Sequence, residues 1–334
     1  GAGHARRALR PLTELVRRIR PQAVLAFNYQ LALALLAVRR RSSRSSRTFR
    51  GSGAARAGVP RFRLVSRHIV ATAASMRIKG LWHGLAVKTL LRLLYRRVDH
   101  VVAQSEAMRE ELIRGFRLSP DQVRVIYNPV LPASAAPGPE LPEGLEELVA
   151  RSREHSLRPP VILYLGRFKP QKQPLLLVDL LERVRSREPE AVLVAAGHGP
   201  LVEDFRQAVV ERGLGDAVYY LGYVMNPVPL FDLAAVTVLT SAYEGFPNAL
   251  IDSLAHGVPV ASFDCPTGPS EIIADGQNGF LIAPGDLEDM AEKVRRLIAE
   301  PREHAPFDPR TIQQSAARFS LDHAIRSYEA VLHG

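Results

Sequence analysis

Glu244 and Asp252 stand eight positions apart in 243-YEGFPNALID-252, with Gly245, Phe246 and Pro247 forming a turn just after the first acid. Pro247 suits the first turn of a helix that Gly257 ends, which puts Asp252 roughly 7 to 8 Å further along the axis than Pro247. Carboxylates spaced this way can grip two different groups of hydroxyls on one extended ligand. The plainer reading makes Glu244 a dipole-stabilising acid at the helix mouth and Asp252 a half-buried polar residue. Three other clusters carry chemistry. In 166-GRFKPQK-172, Gly166 permits a tight exit from a strand, and Arg167 and Lys172 place two cations where a phosphate-bearing ligand would lie, unless both are solvated surface charges. In 197-GHGP-200 a glycine turn at Gly197 opens onto a helix from about Leu201 and can receive a phosphate or sugar. His198 in that turn reads more readily as a satisfied turn residue than as a catalyst. In 266-PTGPSEII-273, Gly268 and Ser270 would offer N–H groups at a helix start, while Pro269 has no donor of its own.

Each cluster needs an element to aim it. The runs 161-VILYLG-166, 191-AVLVAAG-197, 217-AVYYLG-222, 235-AVTVLTS-241 and 258-VPVASF-263 are nearly continuously apolar, as buried parallel strands are, so this half reads as an open, doubly wound sheet. Ligands of such sheets sit at the carboxyl ends of strands, where the clusters fall. Residues 131–160 carry six prolines and read as an interdomain connection. Upstream, Arg6 to Arg20 has helical spacing, followed by the strand 23-AVLAF-27. Then come the basic stretch 39-RRRSSRSSRTFRGSGAARAG-58, expected to be a loop, the strand 62-FRLVS-66, a helical segment Leu81 to Tyr95, 98-VDHVVAQS-105, a helix Glu106 to Arg114, and 123-VRVIYNPV-130. Strands alternating with helices imply a parallel sheet here too. The expected domains are 1–130, a connection 131–160, 161–315, and a C-terminal helix over 316–334.

The chain has 334 residues, 46% hydrophobic, enough for two domains. Its single cysteine, Cys265, allows no internal disulfide and no cysteine metal cluster, which points to the cytoplasm. No run is long and apolar enough to span a bilayer. Charge is uneven: residues 1–130 hold 26 lysines and arginines against 6 acids, a net +20, and the remainder 18 against 28, a net −10. The basic half suits an anionic partner or is a solvated surface. Leu85, Leu90 and Leu94, flanked by Lys88, Arg92, Arg96 and Arg97, would make an apolar stripe edged by cations. That stripe serves either for peripheral contact with the anionic inner face of the plasma membrane or as a core helix face.

The ordered series GRxxxxK, GHGP, EGFPNALID, HGVPVASF and GPSEIIADGQNGFLI, with 105-SEAMREEL-112 and 126-IYNPV-130 in support, resembles the retaining glycosyltransferases of family four (glycosyl transferases group 1) over roughly residues 95–330. The resemblance implies the GT-B architecture, two Rossmann-like doubly wound domains facing a cleft, with a nucleotide-diphosphate sugar held mainly by the C-terminal one. It implies that Arg167 and Lys172 contact the donor diphosphate, that Glu244 lies near the donor sugar, and that Asp252 holds the ribose hydroxyls. Gly166, Gly197, His198, Gly245, Phe246, Asn248, Gly268, Pro269 and Ser270 complete the expected donor-binding set, and His68 in 66-SRH-68 either resembles a cleft histidine of the family or is a structural histidine or simple loop residue. Asp252 departs from the glutamate usual at its position, being one methylene shorter, so its ribose contact is expected to be looser or water-mediated. The resemblance also implies no metal and no cofactor, consistent with the lack of a convincing Asp-x-Asp motif, since 286-DLED-289 reads as a solvated helix start. The acceptor would be a saccharide or a lipid-linked sugar in cell-envelope polysaccharide or glycolipid synthesis.

Rival readings are weaker on the residues. A nucleic-acid binder could use the basic half, but aromatic interleaving is sparse there and no docking motif is present. A dinucleotide oxidoreductase would want a third glycine that 197-GHGPLV-202 lacks. A nucleotide-sugar epimerase of the same architecture is the nearest alternative. The chain opens on Gly1, and no match to the family's earlier strands and glycine-rich loop precedes Ala23. The N-terminal domain is therefore expected to lack its start, to be the less stable half, and to leave the 334-residue chain binding nucleotide but transferring sugar poorly.

Overall fold

The computed structural model of the chain describes residues 2–45, 60–68, 89, 91–131, 137–154, 160–299 and 307–334. They divide into two units, Gly1–Tyr127 with Asp322–Gly334, and Asn128–Leu321.

The first unit is built on strands β1 (Ala23–Ala26), β2 (Arg63–Arg67), β3 (His100–Ala103) and β4 (Val123–Val125), all parallel and in the order β1-β2-β3-β4. One face of this sheet packs with the helices Tyr29–Ser45 and Glu106–Phe116 around Leu35, Leu64, Tyr95, Met108, Leu112 and Phe116. The other face, through Val65, Val102 and Ile126, receives Ala324 and Val331 of the helix Leu321–His333. Ser105 starts the helix Glu106–Phe116 because its hydroxyl accepts the Met108 N–H, and Arg117 ends it in the left-handed conformation. The basic stretch expected to be a loop begins as helix instead, since Arg39 to Ser45 continue Tyr29–Ser45; 46–58 lie outside the described residues. Arg39 explains part of this: its guanidinium pairs with Asp99 at 2.5 Å and bonds the Phe62 and Arg97 carbonyls.

The second unit carries β5 (Val161–Leu165), β6 (Val192–Ala196), β7 (Val218–Gly222), β8 (Val236–Leu239), β9 (Val260–Phe263) and β10 (Gly279–Ile282), parallel and in the order β10-β9-β8-β5-β6-β7. Taken in chain order, the strands step outward from β5 to β7, then return to β5's other side for β8 and continue outward. The switch point therefore lies between β5 and β8. Three of the continuous apolar runs are buried throughout, every residue of β6, β8 and β9, as a parallel sheet covered by helices requires; β7, at the sheet edge, departs from the expectation and is only half-buried along its length. β10 was not anticipated. It is four residues long and hidden inside the GQNGFLI motif, too short for periodicity to mark.

The expected connection over 131–160 is corrected for part of its length. Residues Glu143–Glu154 form a helix, and its Leu145, Leu148 and Val149 pack with Val161, Leu163 and Val192 in the core of the second unit. Prolines flank that helix rather than interrupt it, so the segment is a structural part of the second unit. The C-terminal helix, Leu321–His333, serves the first unit's core.

Candidate functional site

One acid and one cation of the sequence analysis, Glu244 and Lys172, meet in the loops that follow the carboxyl ends of β8 and β5, on either side of the switch point where an open α/β sheet binds ligands. Lys172 Nζ donates to Glu244 Oε1 at 2.6 Å, with side-chain exposures of 15% and 7%. The loops that carry them are stitched together. Ala242 N–H donates to the Gln171 carbonyl at 2.9 Å, Gln171 Nε2 to the Tyr243 carbonyl at 2.7 Å, and the Thr240 hydroxyl to the Lys172 carbonyl at 3.0 Å. On its far side Glu244 is gripped by its backbone, its N–H donating to the Pro266 carbonyl at 3.3 Å and its carbonyl accepting from the Thr267 hydroxyl. Position 244 is thus fixed from two neighbouring loops, and the ion pair sits on a rigid frame.

Asp252 lies on the next helix, Asn248–Ala255. Ser253 anchors this helix to β8 by a hydroxyl–hydroxyl bond to Thr237 (2.7 Å) and by the Val258 carbonyl (3.1 Å), all in fully buried surroundings. The helix ends at Gly257, whose φ of +72° is left-handed. The Asp252 carboxylate is half-buried and accepts no hydrogen bond among the described residues; burial raises its pKa to about 6, partly countered by His256. A carboxylate left without donors in a half-dry site is suited to a ligand that brings hydroxyl donors of its own.

The cationic loop and the glycine turn form one body. Gly166 N–H donates to the Ala196 carbonyl (3.0 Å), Phe168 N–H to the His198 carbonyl (2.9 Å), and Leu201 N–H to the Phe168 carbonyl (3.0 Å), extending the β5–β6 pairing past the strands. The approach is so close that a Cβ on Gly197 would lie 1.8 Å from the Gly166 carbonyl oxygen, and one on Gly199 would lie 2.2 Å from that of Phe168. Two aromatics, buried Tyr164 and half-buried Tyr220, cap the arrangement from below: the Tyr164 hydroxyl donates to the Arg167 carbonyl (3.2 Å) and the Tyr220 hydroxyl to the Gly197 carbonyl (2.8 Å). Burial raises the Tyr164 pKa, with Glu244 adding to the shift.

The remaining expected residues are placed less uniformly. Arg167 is exposed, as are His198, whose ring meets Tyr223 edge-on at 5.8 Å, and Ser270. Asn248 is also exposed, its side-chain oxygen accepting from Asn128 Nδ2 at 2.6 Å. Gly245 is half-buried and packs beside Gly268, whose φ is +103°. Phe246 and Pro269 are buried, Phe246 edge-on to Phe319 at 5.6 Å, so both hold the loop rather than face an open ligand. His68 is 4% exposed, between Tyr95 (6.2 Å) and Phe116 (6.3 Å) of the first unit's core. That is the setting of a packed histidine and offers no open face to an acceptor. Sequence reasoning passed over Tyr164, Phe168, Lys169, Thr240, Tyr220 and Ser253. Of these only Lys169, a third cation within the same seven residues, carried a signal that could have been read.

The chain matches the family model described as glycosyl transferases group 1 over residues 147–314, and that described as Glycosyltransferase Family 4 over 1–133. It belongs to this glycosyltransferase family. Among curated relatives, it is 30% identical over 222 residues to the lipopolysaccharide 1,6-galactosyltransferase of Salmonella typhimurium, covering 65% of this chain and 57% of that protein. It is 26% identical over 232 residues to an N-acetylgalactosaminyltransferase of Campylobacter jejuni that acts on N-acetylgalactosamine-N,N'-diacetylbacillosaminyl-diphospho-undecaprenol, covering 69% and 59%. The chain thus spans just under three fifths of the length of these relatives. Among solved structures, a protein of Anabaena in complex with UDP and glucose superposes with a TM-score of 0.71 at 18% identity, covering 98% of this chain and 80% of that one. The apo lipopolysaccharide outer core galactosyltransferase WaaB superposes at 0.68 with 21% identity, covering 98% and 79%. The fold is that of the GT-B glycosyltransferases: α/β, with two parallel sheets. No described helix is long and apolar enough to cross a membrane.

Proposed function

We propose that this family-four glycosyltransferase binds a nucleotide-diphosphate sugar at the carboxyl ends of β5 and β8 and transfers the sugar, with retention, to a saccharide or lipid-linked acceptor of the cell envelope. The observation that supports this most is the Lys172–Glu244 pair held at the switch point by two stitched loops. Arg167 and Lys172 are the diphosphate cations of this reading, Glu244 faces the sugar and Asp252 the ribose diol. In the transfer, the bond from the anomeric carbon to the β-phosphate oxygen breaks. The acceptor oxygen bonds to the same face of that carbon, and the acceptor proton passes to the departing phosphate. Arg167 and Lys172 offset the charge that accumulates on the leaving group, which is where preorganised cations contribute most. Glu244, kept in place through Pro266 and Thr267, accepts from sugar hydroxyls without having to reorganise.

The experiment is a panel of UDP-, GDP-, ADP- and dTDP-sugars, screened first by thermal shift and then with acceptor mixtures, reading the anomeric configuration of the product by NMR. Inversion would refute the mechanism, and binding of no nucleotide diphosphate would refute the donor site. Donor incubated in water alone, yielding an epimerised nucleotide sugar, would establish the epimerase reading instead.

The basic first unit is the proposed contact with anionic membrane. Of the expected stripe, Leu85, Lys88 and Leu90 lie outside the described residues, and Arg92 Nε is engaged with the Gly115 carbonyl at 2.8 Å. Leu94 is half-buried against the core, and the exposed apolar residue is its neighbour Leu93 (65%), beside exposed Arg96 and Arg97. Co-sedimentation with anionic vesicles at low salt, lost at high salt, is the expected outcome; none at low salt would refute it.

A further inference from the structure

We propose that Lys169 is a third cationic ligand of the donor diphosphate and the residue that sets the preference for a diphosphate over a monophosphate. The inference rests on the donor-site reading above. Lys169 lies between the two cations already assigned, in a turn closed by Lys169 N–H to the Arg167 carbonyl (3.0 Å) and Lys172 N–H to the Lys169 carbonyl (2.9 Å). Its neighbour Phe168 is the wedge that orients it. The Phe168 ring is fully buried against Tyr164 (5.6 Å), Phe205 (5.1 Å) and Tyr220 (5.2 Å), all edge-on, while its N–H and carbonyl are both bonded to the 197–201 turn. With Phe168 driven inward, Arg167 and Lys169 flank it on the outer side.

The Lys169 side chain has no structural employment in this arrangement. It makes no hydrogen bond and no ion pair among the described residues, although it is half-buried. Its surroundings are unfavourable to its charge: burial lowers its pKa, Lys172 and Arg167 lower it further, and Glu244 alone opposes them. Glu244 is already engaged by Lys172 at 2.6 Å. Three cations against one carboxylate leave an excess of two positive charges around a half-buried lysine, and such crowding costs free energy unless an anion arrives. A nucleoside diphosphate spreads its charge over two phosphates and so reaches all three cations; a monophosphate carries close to two charges but at a single phosphate position, and so meets only some of them.

The test is titration calorimetry of the 334-residue chain with UDP, GDP, ADP and dTDP and with the matching monophosphates, for the unaltered protein, Lys169→Met, Lys169→Arg and Arg167→Met. Lys169→Met is expected to weaken the best-bound diphosphate roughly ten-fold, the size of a lost charge-assisted hydrogen bond, and its monophosphate by less than about two-fold, as for an exposed charge. Lys169→Arg is expected to keep the original ratio. An unchanged ratio in Lys169→Met, or equal losses for both nucleotides, would overturn the assignment. A preference that depends on Arg167 but not on Lys169 would leave the donor site standing and remove Lys169 from it. No preference in the unaltered protein would overturn both.

Discussion

Glu244 is 5% exposed and already satisfied, held by Lys172 at 2.6 Å and by the Pro266–Thr267 loop, whereas Asp252 is half-buried on the following helix and its carboxylate accepts nothing among the described residues. The same type of group thus serves two designs within eight residues. Glu244 is preorganised by the protein, and any ligand must fit it. Asp252 is positioned only through its backbone, by Ser253 on Thr237, and under the proposed function is left for the ligand to complete. Under the proposed function, the first design would favour discrimination at the reacting centre and the second affinity.

The largest effect is expected where the preorganised acid loses its partner. Lys172→Met leaves Glu244 buried and unpaired, a change that costs about 3 kcal/mol, read as a fall in Tm. Lys172→Met with Glu244→Gln is expected to recover most of that stability and no sugar transfer; a double variant as unstable as the single one would show that the pair is not what Lys172 stabilises. Glu244→Gln alone is expected to lower kcat about 100-fold, as loss of one preorganised group does, and nucleotide Kd far less. A loss confined to Kd would erase the distinction between the acids.

Asp252 supplies the next largest effect, through pH. Its folded pKa of about 6 lies above the ordinary carboxylate value, so its contribution to stability is present at low pH and is lost as pH rises through about 6. The loss is on the order of 2 kcal/mol between about pH 4 and pH 7. Asp252→Asn is expected to flatten that part of the stability profile. Nucleotide affinity should run in the opposite sense, rising through about pH 6 as the carboxylate ionises and accepts the ribose hydroxyls. The smallest effect expected is a roughly ten-fold weaker binding of a ribonucleotide by Asp252→Ala, with its dideoxy analogue nearly unaffected; equal losses for both would take Asp252 away from the ribose.

The comparison also marks how far the residues alone could be read. Both acids, the Arg167 and Lys172 cations and the carboxyl-edge location were legible, because glycine, proline and charge cluster where buried apolar runs stop. What held them was not legible. Gln171, Thr240 and Thr267 act on main-chain carbonyls of other loops, and such partners leave no pattern in their own neighbourhood. Phe168 carries no signal of its own between the charges, yet it is the loop's anchor. The helix Glu143–Glu154 was masked by the prolines around it. His68 was assigned by resemblance, and its burial between Tyr95 and Phe116 depends on contacts far along the chain.

The zero-side-chain contact of Gly197 with Gly166 and of Gly199 with the Phe168 carbonyl has a bearing on engineering. The cationic loop and the glycine turn fit as one moulded part, so exchanging either between related enzymes to alter donor choice would leave mismatched halves. Transplanting 166–172 together with 197–201, and with Tyr164 and Tyr220 beneath them, is the smallest graft expected to preserve the phosphate face. The natural unit of recombination in this protein is therefore a pair of loops separated in sequence by a helix and a strand.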